Sequence, residues 1–180
     1  MRWFRLLAPV LLLVAACGRS HGEPAGADAV PAPAPDSAAP SSTAAELAVL
    51  DPCALLSAAD RSTAGLTVPG ERRSIGGAAA CDYTEPGSFG VTVTVDGTSG
   101  LADLDVPGDA EPISIGGHDA LRVADPAADD GTCAVLVAAG ESASVHVDVS
   151  RTDFTGTEDA CRRAMTVAEL VAPDLPGGAG

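Results

Sequence analysis

The stretch from residue 132 to residue 150, TCAVLVAAGESASVHVDVS, decides the fold. Apolar residues alternate with small or polar ones on both sides of a turn near Gly140 and Glu141. A period of two places every second side chain on one face of a strand, so the stretch predicts a hairpin with one buried face. Six residues share that face: Cys133, Val135, Val137, Val145, Val147 and Val149. His146 falls on the opposite, polar face with Ser144 and Asp148.

Other strand patterns precede this hairpin in the chain. Residues 89–97, FGVTVTVDG, alternate Phe and Val with Gly and Thr and then reach a turn at Asp96-Gly97. Weaker patterns cover residues 80–84, 112–115 and 120–124. The sequence therefore predicts several short, mainly antiparallel strands.

The tetrapeptide SIGG occurs twice, at residues 74–77 and 114–117, each time just before a strand. One interpretation is a duplicated hairpin unit, and the other is a recurrent turn in a glycine-rich chain. We favour the recurrent turn, because the residues that flank the two copies match poorly.

Two short consecutive helices are predicted within residues 50–66, LDPCALLSAADRSTAGL. Asp51 is a good N-cap, and the proline that follows it fits a first helical turn. Ser57 and Asp60 form a second capping box, and Gly65 is a natural C-terminal stop.

A longer helix is predicted after Thr157, which is a suitable N-cap. Four apolar residues follow at helical spacing, namely Cys161, Ala164, Ala168 and Val171, and Pro173 ends the pattern. The order of elements predicts an α+β fold: a mostly antiparallel sheet with two short N-terminal helices and a C-terminal helix packed on one face.

The amino terminus is typical of a bacterial lipoprotein. Arg2 and Arg5 precede an apolar run that is too short to span a bilayer, as expected of a signal peptide over residues 1–16. Val14-Ala15-Ala16 followed by Cys17 resembles a lipobox, which predicts cleavage before Cys17 and a lipid on its thiol. Two acyl chains would suffice for stable membrane anchoring.

The rest of the chain divides into a tether, one domain and a short tail. Residues 17–46 are rich in Pro, Ala and Ser and contain few large apolar residues, so they predict a disordered spacer. Residues 47–176 have the length of a single α+β domain, and residues 177–180 form a tail. We therefore expect a lipid-anchored domain on the extracellular side of the cell membrane.

The charge and composition exclude several functions. Beyond the signal peptide, eight arginines face 25 acidic residues, a net charge of −17 that excludes nucleic-acid binding and favours any protein partner to be basic. The chain contains no lysine, so a Schiff base, a P-loop lysine and a Ser-x-x-Lys site are all impossible. The aromatic residues of the predicted mature chain are Tyr83, Phe89 and Phe154, barely enough for a core, which disfavours a stacking site.

The four cysteines beyond Cys17 form an even set in a secreted context, where disulfides persist. Of the three possible pairings we favour two bonds, one between Cys53 and Cys81 and one between Cys133 and Cys161, because each then joins a helix to a strand within its own half. A zinc or thiol-redox site is disfavoured, since no two of these cysteines lie in the close pairs that such sites use.

The sequence contains no catalytic or metal motif, and no cofactor is predicted. Only His118 and His146 could serve a catalytic triad within the domain, and a solvated turn is the simpler interpretation of His118. Asp125, Asp129 and Asp130 lack the alternating oxygen spacing of a calcium loop, so we interpret them as a solvated acidic turn.

Several segments together give the chain a family resemblance. The lipobox, the Pro/Ala/Ser tether, DPCALL, CDYT, GTCAVLV and DACRRAMTVAELVAPDLP resemble the actinobacterial lipoproteins of domain-of-unknown-function family 3558. The resemblance covers Leu47 to Pro176 and is most specific at Asp51-Pro52-Cys53. Tyr83 stands where members of the family commonly have tryptophan. The resemblance implies a cell-surface lipoprotein and supports the cysteine framework, but it implies no activity.

These observations favour a non-enzymatic binding or interaction module at the cell surface. The alternative is a carrier of a small apolar ligand in a cavity between sheet and helix. A hydrolase is less favoured, because no nucleophile lies in a recognisable motif.

Overall fold

The chain is described here by a computed structural model, which covers residues 42–107 and 110–177. These residues form three α-helices, α1 (Ser42–Ala48), α2 (Ala58–Ala64) and α3 (Thr157–Val171). The same residues form seven strands: β1 (Glu71–Ile75), β2 (Ala78–Glu85), β3 (Phe89–Asp96), β4 (Glu111–Ile115), β5 (His118–Val123), β6 (Thr132–Ala138) and β7 (Ser144–Arg151).

The strands form one antiparallel sheet in the order β1-β2-β3-β7-β6-β5-β4. The last strand of the chain, β7, is therefore the central strand. Val147 is paired with Val93 on β3 and with Val135 on β6, and each of these valines is fully buried. The apolar residues of the pattern that predicts the hairpin thus line one face of the sheet. The predicted α+β fold is confirmed.

Helix α3 packs on that valine face against β6 and β7. Ala160, Ala164 and Ala168 are completely buried, and small side chains of this kind let a helix approach a sheet closely. Because the larger valines of the strands fill the space between the alanines, the core needs few aromatic residues. Tyr83 and Phe89 are its only buried aromatics among the described residues.

Two disulfide bonds join helices or loops to strands. Cys53, in the segment before α2, is bonded to Cys81 on β2, and Cys133 on β6 is bonded to Cys161 on α3. In each bond the Cα atoms lie 5.0 Å apart, within the range that a disulfide requires. The pairing predicted from the sequence is confirmed.

The first of the two short N-terminal helices was predicted in the wrong place. Residues 51–56 form turns rather than a helix, because the Asp51 carboxylate accepts a hydrogen bond from the Cys53 N–H and so closes a local turn. The helix α1 lies earlier, at Ser42–Ala48, and begins within the stretch predicted to be a disordered tether. Leu47 explains why this helix belongs to the domain, since its side chain is buried in the core.

The helix boundaries farther along agree closely with the sequence. Ser57 and Asp60 form the predicted capping box of α2, and Gly65 ends the helix in the left-handed conformation with a φ of 74°. Helix α3 begins at Thr157, but its N-cap is Gly156, so the prediction of Thr157 as the cap is wrong by one residue.

Both copies of SIGG close a hairpin, one between β1 and β2 and the other between β4 and β5. The two glycines of each copy have positive φ, from 56° to 95°. Tight two-residue hairpin turns that match the twist of the strands require such φ angles. The two hairpins occupy opposite edges of the sheet. Strand β1 was not predicted, because Glu71, Arg72 and Arg73 make its sequence too polar for a strand pattern.

Two polar groups of the core matter for stability. Glu85 is buried, and its carboxylate accepts hydrogen bonds from Thr67 Oγ1 at 2.7 Å and from the Val68 N–H at 3.1 Å. The bond from Thr67 lowers the pKa of Glu85, although burial opposes this. Tyr83 is fully buried, and burial raises its pKa.

The predicted signal peptide, the predicted lipidation site at Cys17, the predicted tether up to residue 41 and the last three residues of the predicted tail lie outside the described residues. Within the described ranges, none of the helices is long and apolar enough to cross a membrane.

Candidate functional site: an open groove on the sheet

The face of the sheet opposite α3 is only partly covered. The connection from β3 to β4 crosses one end of it, where Ser144 Oγ donates a hydrogen bond of 2.7 Å to the Ser99 carbonyl. The short helical turn at Leu101–Asp103 contacts β6 there. Nothing among the described residues covers the other end, so that end of the face remains open.

The open end forms a groove of about 780 Å³, which we call the open-face groove. Its floor consists of polar side chains from four neighbouring strands: Asp82, Thr84, Thr92, Thr132, Asp148 and Ser150. Pro107, Val123 and Phe154 contribute apolar walls. A concave site of this volume, with apolar walls and a few polar groups, has the usual dimensions of a ligand site.

The fold does not require the glycine that lies in the floor of the groove, Gly90. Gly90 lies inside β3 between Thr84 and Ser150, and its backbone is not in the left-handed region. A Cβ atom at this position would come no closer than 3.8 Å to Tyr83 O, which is ordinary contact. Glycine weakens a strand interior and often marks a close approach by a ligand. The fold would accept a larger residue here, so the absent side chain deepens the groove.

Asp148 lies in the central strand of the groove floor. Its carboxylate makes no hydrogen bond or ion pair with another described side chain or backbone group. Although it is open to solvent on the groove side, desolvation by the surrounding strands raises its pKa, and the nearby His146 opposes this rise. Asp148 therefore offers an uncompensated acceptor in a partly desolvated position.

His146 and Ser144 form a fixed chain of hydrogen bonds rather than a catalytic pair. His146 Nε2 lies 2.9 Å from Ser144 Oγ, but the single hydroxyl proton of Ser144 is donated to Ser99. His146 must therefore donate to Ser144, and it cannot act as its base. Ser144 is completely buried, so no substrate reaches it. Burial lowers the pKa of His146, with Asp148 and Asp96 opposing, which favours the neutral ring.

His118 is not the solvated turn residue that the sequence suggested. It begins β5, is buried, and its Nδ1 lies 2.8 Å from the Ala138 carbonyl, to which it donates. Its ring holds β5 against the end of β6. The side chain faces the helix-covered side of the sheet, away from the open-face groove.

Phe154 is the exposed aromatic residue of the structure. Its side chain is 72% exposed, so it is not one of the aromatic residues that build the core. Its φ is +54°, a conformation that is rare for a bulky residue and implies backbone strain. Such strain is maintained only where the surroundings enforce it, and it clusters at ligand sites. Here Arg151 fastens the loop through Asp153 at 2.9 Å and Asp159 at 2.6 Å.

The acidic turn between β5 and β6 has structural partners instead of a metal. Asp125 accepts from the Ala127 and Ala128 N–H groups, and Asp130 accepts from the Thr132 N–H and hydroxyl. Asp129 accepts from the N–H groups of Gly156 at 3.0 Å and Thr157 at 2.8 Å, and so caps α3 from another loop. Asp125, Asp129 and Asp130 are all exposed, so the predicted solvated acidic turn is confirmed, and its carboxylates also accept hydrogen bonds from neighbouring groups. No group of three ligating side chains in residues 42–107 and 110–177 is arranged to hold a metal ion.

A second cleft of about 590 Å³ lies between α3 and the end of β5. Ala124, Pro126, Cys161 and Met165 line it, with Arg122 among the polar residues at its border. It is smaller than the open-face groove, and it is the described concavity nearest to the predicted position between sheet and helix.

The sequence analysis placed Ser144, His146 and Asp148 on the polar face but gave that face no role. The signal that could have identified the groove is the repeated hydroxyl pattern of Thr92, Thr94 and Ser150, together with Gly90 inside a strand. Which end of the face would be covered depends on the β3–β4 connection, whose path no local pattern indicates.

The comparisons with known proteins identify a family but no activity. The model of the family described as "Protein of unknown function (DUF3558)" matches residues 12–174. The searches of the curated proteins and of the solved structures each gave no match. The match extends over most of the chain and includes all of the helices and strands described above, and the chain therefore belongs to the DUF3558 family.

Proposed function

We propose that the chain is a non-enzymatic binding module, held at the outer face of the cytoplasmic membrane as an actinobacterial lipoprotein, and that its ligand binds in the open-face groove. The amino-terminal arginines, the short apolar run and Val14-Ala15-Ala16-Cys17 support the lipid anchor. The buried Ser144, whose proton is already donated, supports a role without hydrolysis.

One observation carries the assignment of the groove: Gly90, near the start of β3, leaves space where the fold does not need it. Interior glycines cost a strand about 0.5–1 kcal/mol. A chain that accepts this cost in the floor of the open-face groove gains room for a ligand there. Gly90→Thr would continue the row of Thr92 and Thr94 and fill that room.

Photo-crosslinking in the native cell envelope tests the proposal. A photoreactive side chain at Thr92 should form adducts with a partner, because this position lies in the groove floor. The same group at Thr63, an exposed position on α2, is the matched control. The adducts from Thr92 should be absent from the Thr63 variant and should disappear when Gly90→Thr is added. Identical adducts from both positions would contradict a groove-specific ligand.

The membrane anchor has its own test. Cys17→Ala should release the chain into the medium or leave an uncleaved precursor, with no acyl mass on the protein. A wild-type chain that is soluble without detergent and lacks a lipid would refute the anchor.

The second cleft favours an alternative function as carrier of a small apolar ligand. Ala124, Pro126 and Met165 give it apolar walls beside the Cys133–Cys161 disulfide. A fluorescent fatty-acid analogue should then bind the purified chain. Met165→Trp, at a position that lines this cleft and not the open-face groove, should prevent this while leaving crosslinking from Thr92 unchanged. Failure of the probe to bind would eliminate the carrier function.

A further inference from the structure

We propose that the open-face groove binds an extended, arginine-rich segment of a protein partner, with a guanidinium stacked on Phe154 and a second basic side chain paired with Asp148. This inference rests on the function proposed above and specifies the chemistry of the ligand. It follows from the charge, the length and the one exposed aromatic ring of the groove.

The charge of the groove calls for a cationic ligand. Asp82, Asp125, Asp130 and Asp148 contribute four carboxylates, and the single cation in the lining is Arg151. Arg151 is already paired with Asp153 and Asp159, neither of which lines the groove, so it does not compensate the four carboxylates. The whole chain has a net charge of −15, which adds to the attraction.

The length of the groove suits an extended peptide. Its lining passes from β2 across β3, β7 and β6 to the end of β5, which is four inter-strand spacings. At roughly 4.8 Å for each spacing the groove spans about 19 Å, the length of about six residues of extended chain. A segment that crosses the strands cannot join the sheet through its backbone, so its side chains must provide the recognition.

Phe154 selects arginine among basic residues. An exposed aromatic face attracts a guanidinium both by its quadrupole and by planar stacking, whereas an ammonium group gains only the first. The chain already uses this contact internally, because the Arg163 guanidinium lies 4.0 Å from the centre of the Phe89 ring. The strained backbone of Phe154 holds a similar ring at the groove, where no described arginine covers it.

Binding of short peptides to the full-length chain in detergent tests the inference. A labelled hexa-arginine peptide should bind, hexa-lysine should bind several-fold more weakly, and hexa-glutamate should not bind. Asp148→Asn should weaken the binding of hexa-arginine about tenfold. Glu169→Gln removes the same charge from the exposed side of α3 and should change the affinity less than twofold. Phe154→Leu should abolish the preference for arginine over lysine.

Other results would overturn the inference. Equal losses from Asp148→Asn and Glu169→Gln would show attraction by net charge alone, and binding of spermine as tight as that of hexa-arginine would show recognition of a small cation. Adducts from Thr92 with a partner segment that lacks basic residues would refute the inference but leave the binding function intact. Failure of both the adducts and the peptide binding would refute both.

Discussion

The Oη atom of Tyr83 lies in the core without a hydrogen-bond partner in the part of the chain that the structure describes. The ring itself is well accommodated, since a Cβ on Gly70 would lie only 2.5 Å from one of its carbon atoms. A buried hydroxyl without a partner costs about 1–3 kcal/mol, because it loses its bonds to water. The ring therefore contributes packing, while the hydroxyl opposes folding.

Replacing Tyr83 by phenylalanine removes that hydroxyl and keeps the ring. The free energy of unfolding of Tyr83→Phe should rise by about 1 kcal/mol, since no favourable bond is lost. Urea denaturation followed by circular dichroism measures this change. A decrease of the same size would mean that the hydroxyl has a partner. Tyr83→Leu is the control for the ring, and it should be destabilising because it leaves a cavity.

Glu85 makes the stability of the fold depend on pH. Its folded pKa lies below the ordinary value of 4.5, because Thr67 and the Val68 N–H donate to its charged form. The stabilisation is complete above about pH 4.5 and is lost as the pH falls through the folded pKa. The urea concentration at the midpoint of unfolding should therefore fall as the pH is lowered from about 4.5 through the folded pKa of Glu85. Thr67→Val removes the hydroxyl donor and should reduce the slope. An unchanged slope would contradict the role of Glu85.

At the scale of elements, the sequence predicts the strands in which apolar and polar residues alternate cleanly. It does not predict local structure that is determined by other contacts. Strands β3, β6 and β7 follow their valine pattern, and the capping box of α2 is local and therefore visible. Strand β1 escapes prediction, because all five of its residues are exposed and no buried face selects apolar side chains there. The turn at Asp51 resembles a helix start, but Cys53 is held by its disulfide on β2.

The start of α3 is capped by Asp129, which lies 28 positions before Thr157 in the chain. Asp129→Ala should lower the free energy of unfolding by about 1 kcal/mol, because it removes the acceptor of two N–H groups at the helix end. Asp129→Asn keeps an acceptor and tolerates the positive φ of 46°, so it should lose only the attraction of the charge to the helix dipole, about 0.3–1 kcal/mol. Thermal unfolding distinguishes the two variants. Equal stability of Asp129→Ala and wild type would show that α3 needs no cap.

At the scale of the whole molecule, two meanders meet along a single seam. Strands β1–β3 form one meander and β4–β7 the other, and the ladder between β3 and β7 joins them over eight residue pairs. Each disulfide lies within one half, so neither bond crosses the seam. The position of the groove could not be predicted, because its floor contains strands from both meanders that are distant in sequence.

Removing a disulfide should weaken one half without changing the fold. The double variant Cys133→Ala and Cys161→Ala should lose about 3–4 kcal/mol, the chain entropy of a loop of this length. The sequence separation of 28 is the same for Cys53–Cys81, so the corresponding double variant provides a matched comparison. Guanidinium unfolding gives both values. A loss below about 1 kcal/mol for either pair would show that packing of the valine face alone holds α3 or the N-terminal segment in place.

The central position of β7 also fixes when folding can occur during synthesis. Strand β3 leaves the ribosome about 50 residues before β7, and until then its inner edge has no partner. A ladder between strands this far apart in sequence forms slowly, because the intervening chain must first close a large loop. The nascent chain therefore remains unfolded until nearly all of it has been made. The export that we propose for this chain would benefit from that delay, because an export channel passes a polypeptide only as an extended thread.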